Sequence, residues 1–138
     1  MAPSELAKLT RRAADRGCAS AQAALGVWHQ QGDEGLEQDD VKAAALFRPA
    51  AARGFAVAES LLAGCYFSGR GVEQNYALAA EWGRKAADKG DSVAQFFVGG
   101  MYASGLGVKK DLPRGKRYLQ LCAAQGNQDA VTLLKDYD

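Results

Sequence analysis

The stretch AQFFVGGMYASGLGVKKD, residues 94–111, decides the reading of this chain, because two earlier stretches superpose on it. Ala94, Val98-Gly99, Tyr102, Gly105, Gly107-Val108 and Asp111 align with Ala58, Leu62-Ala63, Tyr66, Gly69, Gly71-Val72 and Asn75. They align again with Ala21, Leu25-Gly26, His29, Gly32, Gly35-Leu36 and Asp39. Tyr66 and Tyr102, Gly69 and Gly105, Gly71 and Gly107, and Trp82 and Tyr118 are each 36 residues apart. Outside these stretches, small pairs followed by glycine recur at Ala13-Ala14…Gly17, Ala50-Ala51…Gly54, Ala86-Ala87…Gly90 and Cys122-Ala123…Gly126. Those glycines lie 37, 36 and 36 residues apart, and one extra residue in the Gly32-Asp33-Glu34-Gly35 loop explains the longer step. Self-similarity at such a period marks a repeat array, in which each unit must stack on its neighbours.

Each unit reads as helix–turn–helix. Ala58, Leu61, Leu62, Cys65 and Tyr66 fall at offsets of three and four, which is one face of a helix. Ser68-Gly69-Arg70-Gly71 then breaks it, because paired glycines reach backbone angles closed to other residues. Asn75, like Asp39 and Asp111, stands where a second helix needs its N-cap. That helix points Ala79, Trp82, Ala86 and Ala87 inward and stops at Gly90. Residues 4–17 supply a partial leading helix, 18–54, 55–90 and 91–126 are three repeats, and 127–138 are a trailing helix with Ala130, Leu133, Leu134 and Tyr137 inward. The expected fold is therefore all-α, a solenoid of three to four repeats with about eight helices and no strands. Pro49 falls inside the second helix of the first unit, where it should kink or shorten that helix.

Composition narrows the function. Seventeen basic and sixteen acidic residues leave a net charge of +1, so nucleic-acid binding driven by overall charge is not expected. No apolar stretch approaches the roughly 20 residues that span a bilayer. Met1 to Glu5 lack the basic-then-apolar pattern of a secretory signal, which favours the cytoplasm; a trimmed signal would place the chain in the periplasm or another compartment. Cys18, Cys65 and Cys122 make no pair motif and are expected to be reduced and packed. His29 is the only histidine, so neither a histidine metal cluster nor a nucleophile triad is indicated, and it reads as a spacer at a tyrosine position. Gly69-Arg70-Gly71 and Gly105-Leu106-Gly107 follow no strand and lack the lysine of a phosphate-binding loop, so they read as turns. No catalytic residue, metal or cofactor is expected.

The pattern of Ala, Leu-Gly, Tyr, Gly-x-Gly-Val and Asp, followed by Trp82, Lys85-Ala86-Ala87 and Gly90, resembles the Sel-one-like repeat family, relatives of the tetratricopeptide repeat. The resemblance runs over about residues 5–135, with His29 and Asn75 as departures from the tyrosine and aspartate. It implies an α/α superhelix with a concave groove that serves as an adaptor or scaffold for another protein or peptide. Some bacterial members are stoichiometric inhibitors of toxins, so a protein that blocks a single effector enzyme is the alternative. Cysteine-rich relatives credited with β-lactamase-type activity carry one disulfide per repeat, and this chain has no such pairs.

In related helical repeats the first helix of each unit lines the groove. Counting its alanine as zero, offsets 0, 3, 4, 7 and 8 make the expected buried stripe, and offsets 2, 6 and 9 point away. These positions hold Ala23, Val27 and Gln30, then Ser60, Gly64 and Phe67, then Phe96, Gly100 and Ala103, with Thr132 in the trailing helix. The partner-binding candidates are accordingly Val27, Gln30, Ser60, Phe67, Phe96, Ala103 and Thr132, the alternative being that the superhelix closes enough to bury this row or that it covers an end. Charge is also uneven: residues 33–42 carry a net −4 and residues 109–117 a net +4, which reads either as solvated loop faces or as a dipolar rod that orients a charged partner or self-associates weakly head to tail.

Overall fold

The computed structural model describes residues 2–137. Eight helices and no strand occur among them: α1 Glu5–Asp15, α2 Ala19–Gln31, α3 Asp40–Ala52, α4 Ala56–Ser68, α5 Tyr76–Asp88, α6 Ser92–Ser104, α7 Leu112–Ala124 and α8 Gln128–Lys135. Every helix packs on the next, and α2–α3, α4–α5 and α6–α7 are the three helix pairs. The first helices of successive pairs also touch, α2 with α4 and α4 with α6, and form an inner row. There is no single centre. Small apolar clusters succeed one another along the array, from Ala14, Ala21 and Leu25 at one end to Leu119, Cys122 and Ala130 at the other.

Three devices, each recurring from unit to unit, set this geometry. The Asp39, Asn75 and Asp111 side chains accept hydrogen bonds from the amides of Lys42, Leu78 and Arg114, capping α3, α5 and α7. Gly71 (φ +77°) and Gly107 (φ +74°) press the turn between paired helices against the start of the preceding second helix. A Cβ there would lie 2.0 Å from the Asp40 carbonyl oxygen and 2.5 Å from that of Tyr76. The third device is a ladder along the ends of the second helices. Arg53 donates to the carbonyl of Gly17, Lys89 Nζ to that of Gly54 at 2.8 Å, and Gln125 Nε2 to that of Gly90 at 3.0 Å.

Pro49 does not shorten its helix. α3 runs 13 residues, as α5 and α7 do. Pro49 and Ala45, whose carbonyl loses its amide partner, both lie on the exposed side, where water can take that hydrogen bond. The extra residue of the first turn, Glu34, adopts φ 57° and is tied down by Ser4, whose amide and hydroxyl donate to the Glu34 carbonyl and carboxylate at 2.8 and 2.6 Å.

Candidate functional site

The inner row is built by α2, α4 and α6, and its chemistry follows from what those helices lack. Of the 33 Asp, Glu, Lys and Arg residues in the chain, they hold one, Glu59. Its side chain is 2% exposed and accepts a 2.8 Å hydrogen bond from Lys89. His29 is buried as well. Its Nδ1 lies 3.0 Å from the Glu37 carbonyl and its Nε2 faces Arg11 at 3.3 Å. Arg11 can only donate, so Nε2 accepts and Nδ1 carries the proton. His29 is thus a polar tie between α1, α2 and the first turn rather than a bare spacer. Every other Asp, Glu, Lys and Arg of the three repeats stands on second helices and loops.

The burial of the first helices is turned relative to expectation. Offsets 0, 1 and 4 are buried in all three first helices and offsets 5, 7 and 8 in two of the three, whereas offset 3 is buried in none: Phe97, expected in the buried stripe, is 47% exposed. The buried stripe is turned towards offset 1 and away from offset 3, by about 50° around the helix axis. The cause is offset 1, where Gln22, Glu59 and Gln95 are polar yet buried. Gln22 and Gln95 donate to the carbonyls of Ala14 and Ala87 at the last turn of the preceding helix. Glu59 and Gln95 accept from Lys89 and Gln125 in the ladder. Polarity at this position therefore means a buried tie, not solvent.

This rotation sorts the expected partner-binding residues. Ser60 and Phe67 line an apolar cleft of about 300 Å³ between α4, α5 and α6, together with Gly64, Gly83, Phe97 and Met101. Gln30 lines a second hollow that shares Ser60, Gly64 and Phe97 with the cleft, and Phe96 lines a third that shares Phe67, Phe97 and Met101. Four of the seven residues thus border one continuous groove. Val27 instead packs against the apolar cluster of Ala23, Phe47 and Leu62, and Thr132 is exposed on α8 outside the groove. Ala103 is not surface at all: it is 2% exposed and its backbone abuts Gly115 of α7, and Ala23 is likewise core.

Two residues outside the expected groove row complete it, Phe97 from the expected buried stripe and Val93, which had no assigned role. Phe97 is at its centre, and Val93, 56% exposed, flanks it one turn away. Phe97 packs against Phe67 at 5.7 Å between ring centres and against Phe96 at 6.0 Å, and Phe67 meets Tyr76 edge-on at 5.3 Å. Four aromatic rings therefore make one wall. Gly64 and Gly100 leave the surface beside it open, since a Cβ on either would meet nothing within 4 Å. The signal for Phe97 was present in the sequence as an aromatic beside a glycine-rich turn of a helix without charges.

The charged loops are partly spoken for. Asp39 and Asp111 are helix caps, Asp40 pairs with Arg70 at 3.0 Å, and Glu34 accepts from Ser4. All three cysteines are free thiols, but Cys18, contrary to expectation, is exposed, because it precedes α2 at a corner of the chain. The Ser20 side chain, 3.4 Å from its sulfur, holds its thiol below the ordinary value, whereas burial pushes Cys65 and Cys122 up. Among the described residues no three His, Cys, Asp or Glu side chains gather as metal ligands, and no helix is long and apolar enough to cross a membrane.

Comparison with known proteins places this geometry. The Sel1 repeat model matches residues 19–55, 56–91 and 92–127. A Sel1 repeat protein from Oxalobacter formigenes is 39% identical, with a TM-score of 0.82 over 92% of this chain and 95% of its own. A protective antigen of uropathogenic Escherichia coli with an SLR fold is also 39% identical, with a TM-score of 0.84 over 90% of this chain; the match spans only 26% of that antigen. Cysteine-rich protein B of Helicobacter pylori shares the fold at 18% identity and a TM-score of 0.71. No curated protein sequence matches the chain.

Proposed function

Because the chain belongs to the Sel1 repeat family, whose repeats generally mediate protein–protein interaction and are not catalytic, we propose that it binds a peptide or helix of a partner protein in the groove between α4 and α6. The observation that carries this reading is the uncharged inner row with its exposed aromatic and aliphatic side chains. Phe97 and Val93 keep about half of their surface in water. Contiguous exposed apolar surface of this kind marks an interaction site rather than a folding need. An uncharged helix face or apolar peptide suits such a wall, and aromatic rings supply contact area at low entropic cost.

The same groove serves either an adaptor or an inhibitor that blocks one effector enzyme, and the two differ in how many sequences bind. Selecting a displayed peptide library on the protein separates them: an adaptor enriches a family of related apolar sequences, an inhibitor a single tight one or none short of a folded partner. Phe97→Asp/Val93→Asp places two charges on exposed positions and should leave helicity and melting unchanged while weakening the selected peptides by about tenfold or more. Undiminished binding by that variant would move the site off the groove. The opposed charges of residues 33–42 and 109–117 support weak head-to-tail association as a separate property, to be read from sedimentation at low and high salt.

A further inference from the structure

The groove contains a hole whose origin is visible by comparing the three units. In the first unit Phe47 of α3 lies against Gly26 of α2, so closely that a Cβ on Gly26 would stand 2.3 Å from the ring. In the third, Leu119 of α7 fills the same place against Gly99, 2.8 Å from its Cβ position. Both large side chains are completely buried. The corresponding pair in the second unit is Gly83 and Ala63, with a Cβ at Gly83 standing 3.7 Å from that of Ala63. One large apolar side chain is therefore missing from the middle of the array. Val98 of α6 takes up the position of a Cβ on Gly83, at 2.7 Å, and with Gly83 and Ala63 it lines the space that the missing side chain leaves beyond. What remains is the cleft of about 300 Å³, lined by Ala63, Ala79, Gly83 and Ala94 and bordered by the Phe67 and Phe97 rings.

We propose that this cleft is an anchor site for one bulky, uncharged apolar side chain of the bound protein segment, an aromatic or a leucine, which takes the place that Phe47 and Leu119 occupy in the other two units. The inference rests on the groove reading and names its specificity. Interiors are packed to the density of organic crystals, so an unfilled apolar hole forfeits contacts that an incoming side chain recovers. Its size is ample, since apolar holes of about 150 Å³ already hold benzene. Its chemistry is restrictive: no charged residue lines it, and the Ser68 hydroxyl is already committed to the Gly64 carbonyl at 2.8 Å. A charged side chain would lose its water and find no counter-charge there, only the Ser60 hydroxyl. The cleft shares Ser60, Gly64 and Phe97 with the adjoining hollow of the inner row, so it is continuous with the groove.

Gly64 makes the test clean. A side chain there meets nothing within 4 Å, so Gly64→Leu projects over the cleft while improving the helix, and Gly100→Leu fills the adjoining hollow without touching the cleft. Toluene is titrated into wild type and both variants and followed by nuclear magnetic resonance of the Met101, Ala63 and Ala94 methyl groups. Saturable shifts in wild type and Gly100→Leu, lost in Gly64→Leu, are expected. Selected groove-binding peptides should share one aromatic or leucine, and its replacement by alanine should weaken them by about tenfold or more. Toluene shifts that fail to saturate, or that persist in Gly64→Leu, overturn the anchor. Peptides that bind without any bulky apolar residue overturn it too, yet leave the groove standing. Saturable toluene binding with no selectable peptide overturns the groove reading and the side-chain anchor together, leaving a small-molecule pocket.

Discussion

Replacing Lys89 by methionine should cost far more than a surface substitution. Lys89 ends α5, and its ammonium is 2.8 Å from both the Gly54 carbonyl and Glu59 Oε1. The lysine side chain is 44% exposed, but the Glu59 carboxylate is 2% exposed, so the ammonium stands in for the water that the carboxylate has lost. An ordinary surface ion pair contributes about 0–1 kcal/mol. Removing one partner of a buried pair costs about 3–5 kcal/mol, because the remaining charge is left without water or counter-ion. Solvent reaches the lysine side of this pair, so we place Lys89→Met at about 2–4 kcal/mol. The third unit supplies the control. There the same two positions are Gln95 and Gln125, joined at 2.7 Å, with Gln125 also reaching the Gly90 carbonyl. Glu59→Gln/Lys89→Gln should rebuild that neutral pair and stay within about 1 kcal/mol of wild type, well above Lys89→Met. Urea unfolding followed by circular dichroism measures all three. A loss under about 0.5 kcal/mol for Lys89→Met would show that the carboxylate finds water without its partner, and the ladder would then be decoration rather than structure.

Three further outcomes follow from other contacts. Gly71→Ala, forced to φ +77° with its Cβ 2.0 Å from the Asp40 carbonyl, should unfold the protein or cost about 3 kcal/mol or more, whereas Gly64→Ala should raise stability by up to about 1 kcal/mol; thermal melts compare them directly. Burial, and then the hydrogen bond to Asp88 at 2.6 Å, push Tyr118 up to about 12 from an ordinary 10.0. Its neutral form is thus favoured in the fold, so the stability it supplies is intact below pH 10.0 and drains away as pH rises through about 12; Tyr118→Phe should cost about 1 kcal/mol at neutral pH and flatten that alkaline loss. In the native protein a chromogenic disulfide reagent should titrate Cys18 rapidly and leave Cys65 and Cys122 unmodified until denaturant is added; equal rates at all three would contradict the burial described.

The period, the turns and the caps were legible in the sequence because each depends on a local property of one residue type. Gly69 and Gly105 end first helices with left-handed backbone, and Asp39, Asn75 and Asp111 cap second helices, as their chemistry dictates wherever they occur. The face of the first helix was not legible in this way. Gln22, Glu59 and Gln95 look like solvent-facing residues, and only their partners at Ala14, Lys89 and Ala87, each on another helix or at its end, show that they are buried. That one position turns the stripe, which brings Phe97 out to the surface; Ala103 is core for a separate reason, its backbone contact with Gly115 of α7. Pro49 departs from expectation for a related reason: the cost of proline depends on whether water can reach the orphaned carbonyl, which is decided by the side of the helix it occupies.

The distribution of these contacts bears on why the groove can be specific without endangering the fold. The caps, the Gly71 and Gly107 contacts and the ladder all lie at helix ends and between second helices. None of them uses Gly64, Val93, Phe97 or Gly100 on the inner row. A repeat array is held by nearest-neighbour contacts, so a position outside those contacts can change its side chain at little cost to stability. The exception is the pair at Gly83 and Ala63, which belongs to the packing between helices and to the groove at once. A hole kept at that junction weakens the array where its neighbours are filled, and a bound side chain would restore the missing contacts. Binding should therefore stabilise the middle unit most. Hydrogen exchange of α4 and α5 should slow on ligand addition more than that of α2, α3 or α8. Uniform protection across all eight helices would instead mean that the ligand stiffens the array as a whole, without filling the space left at Gly83.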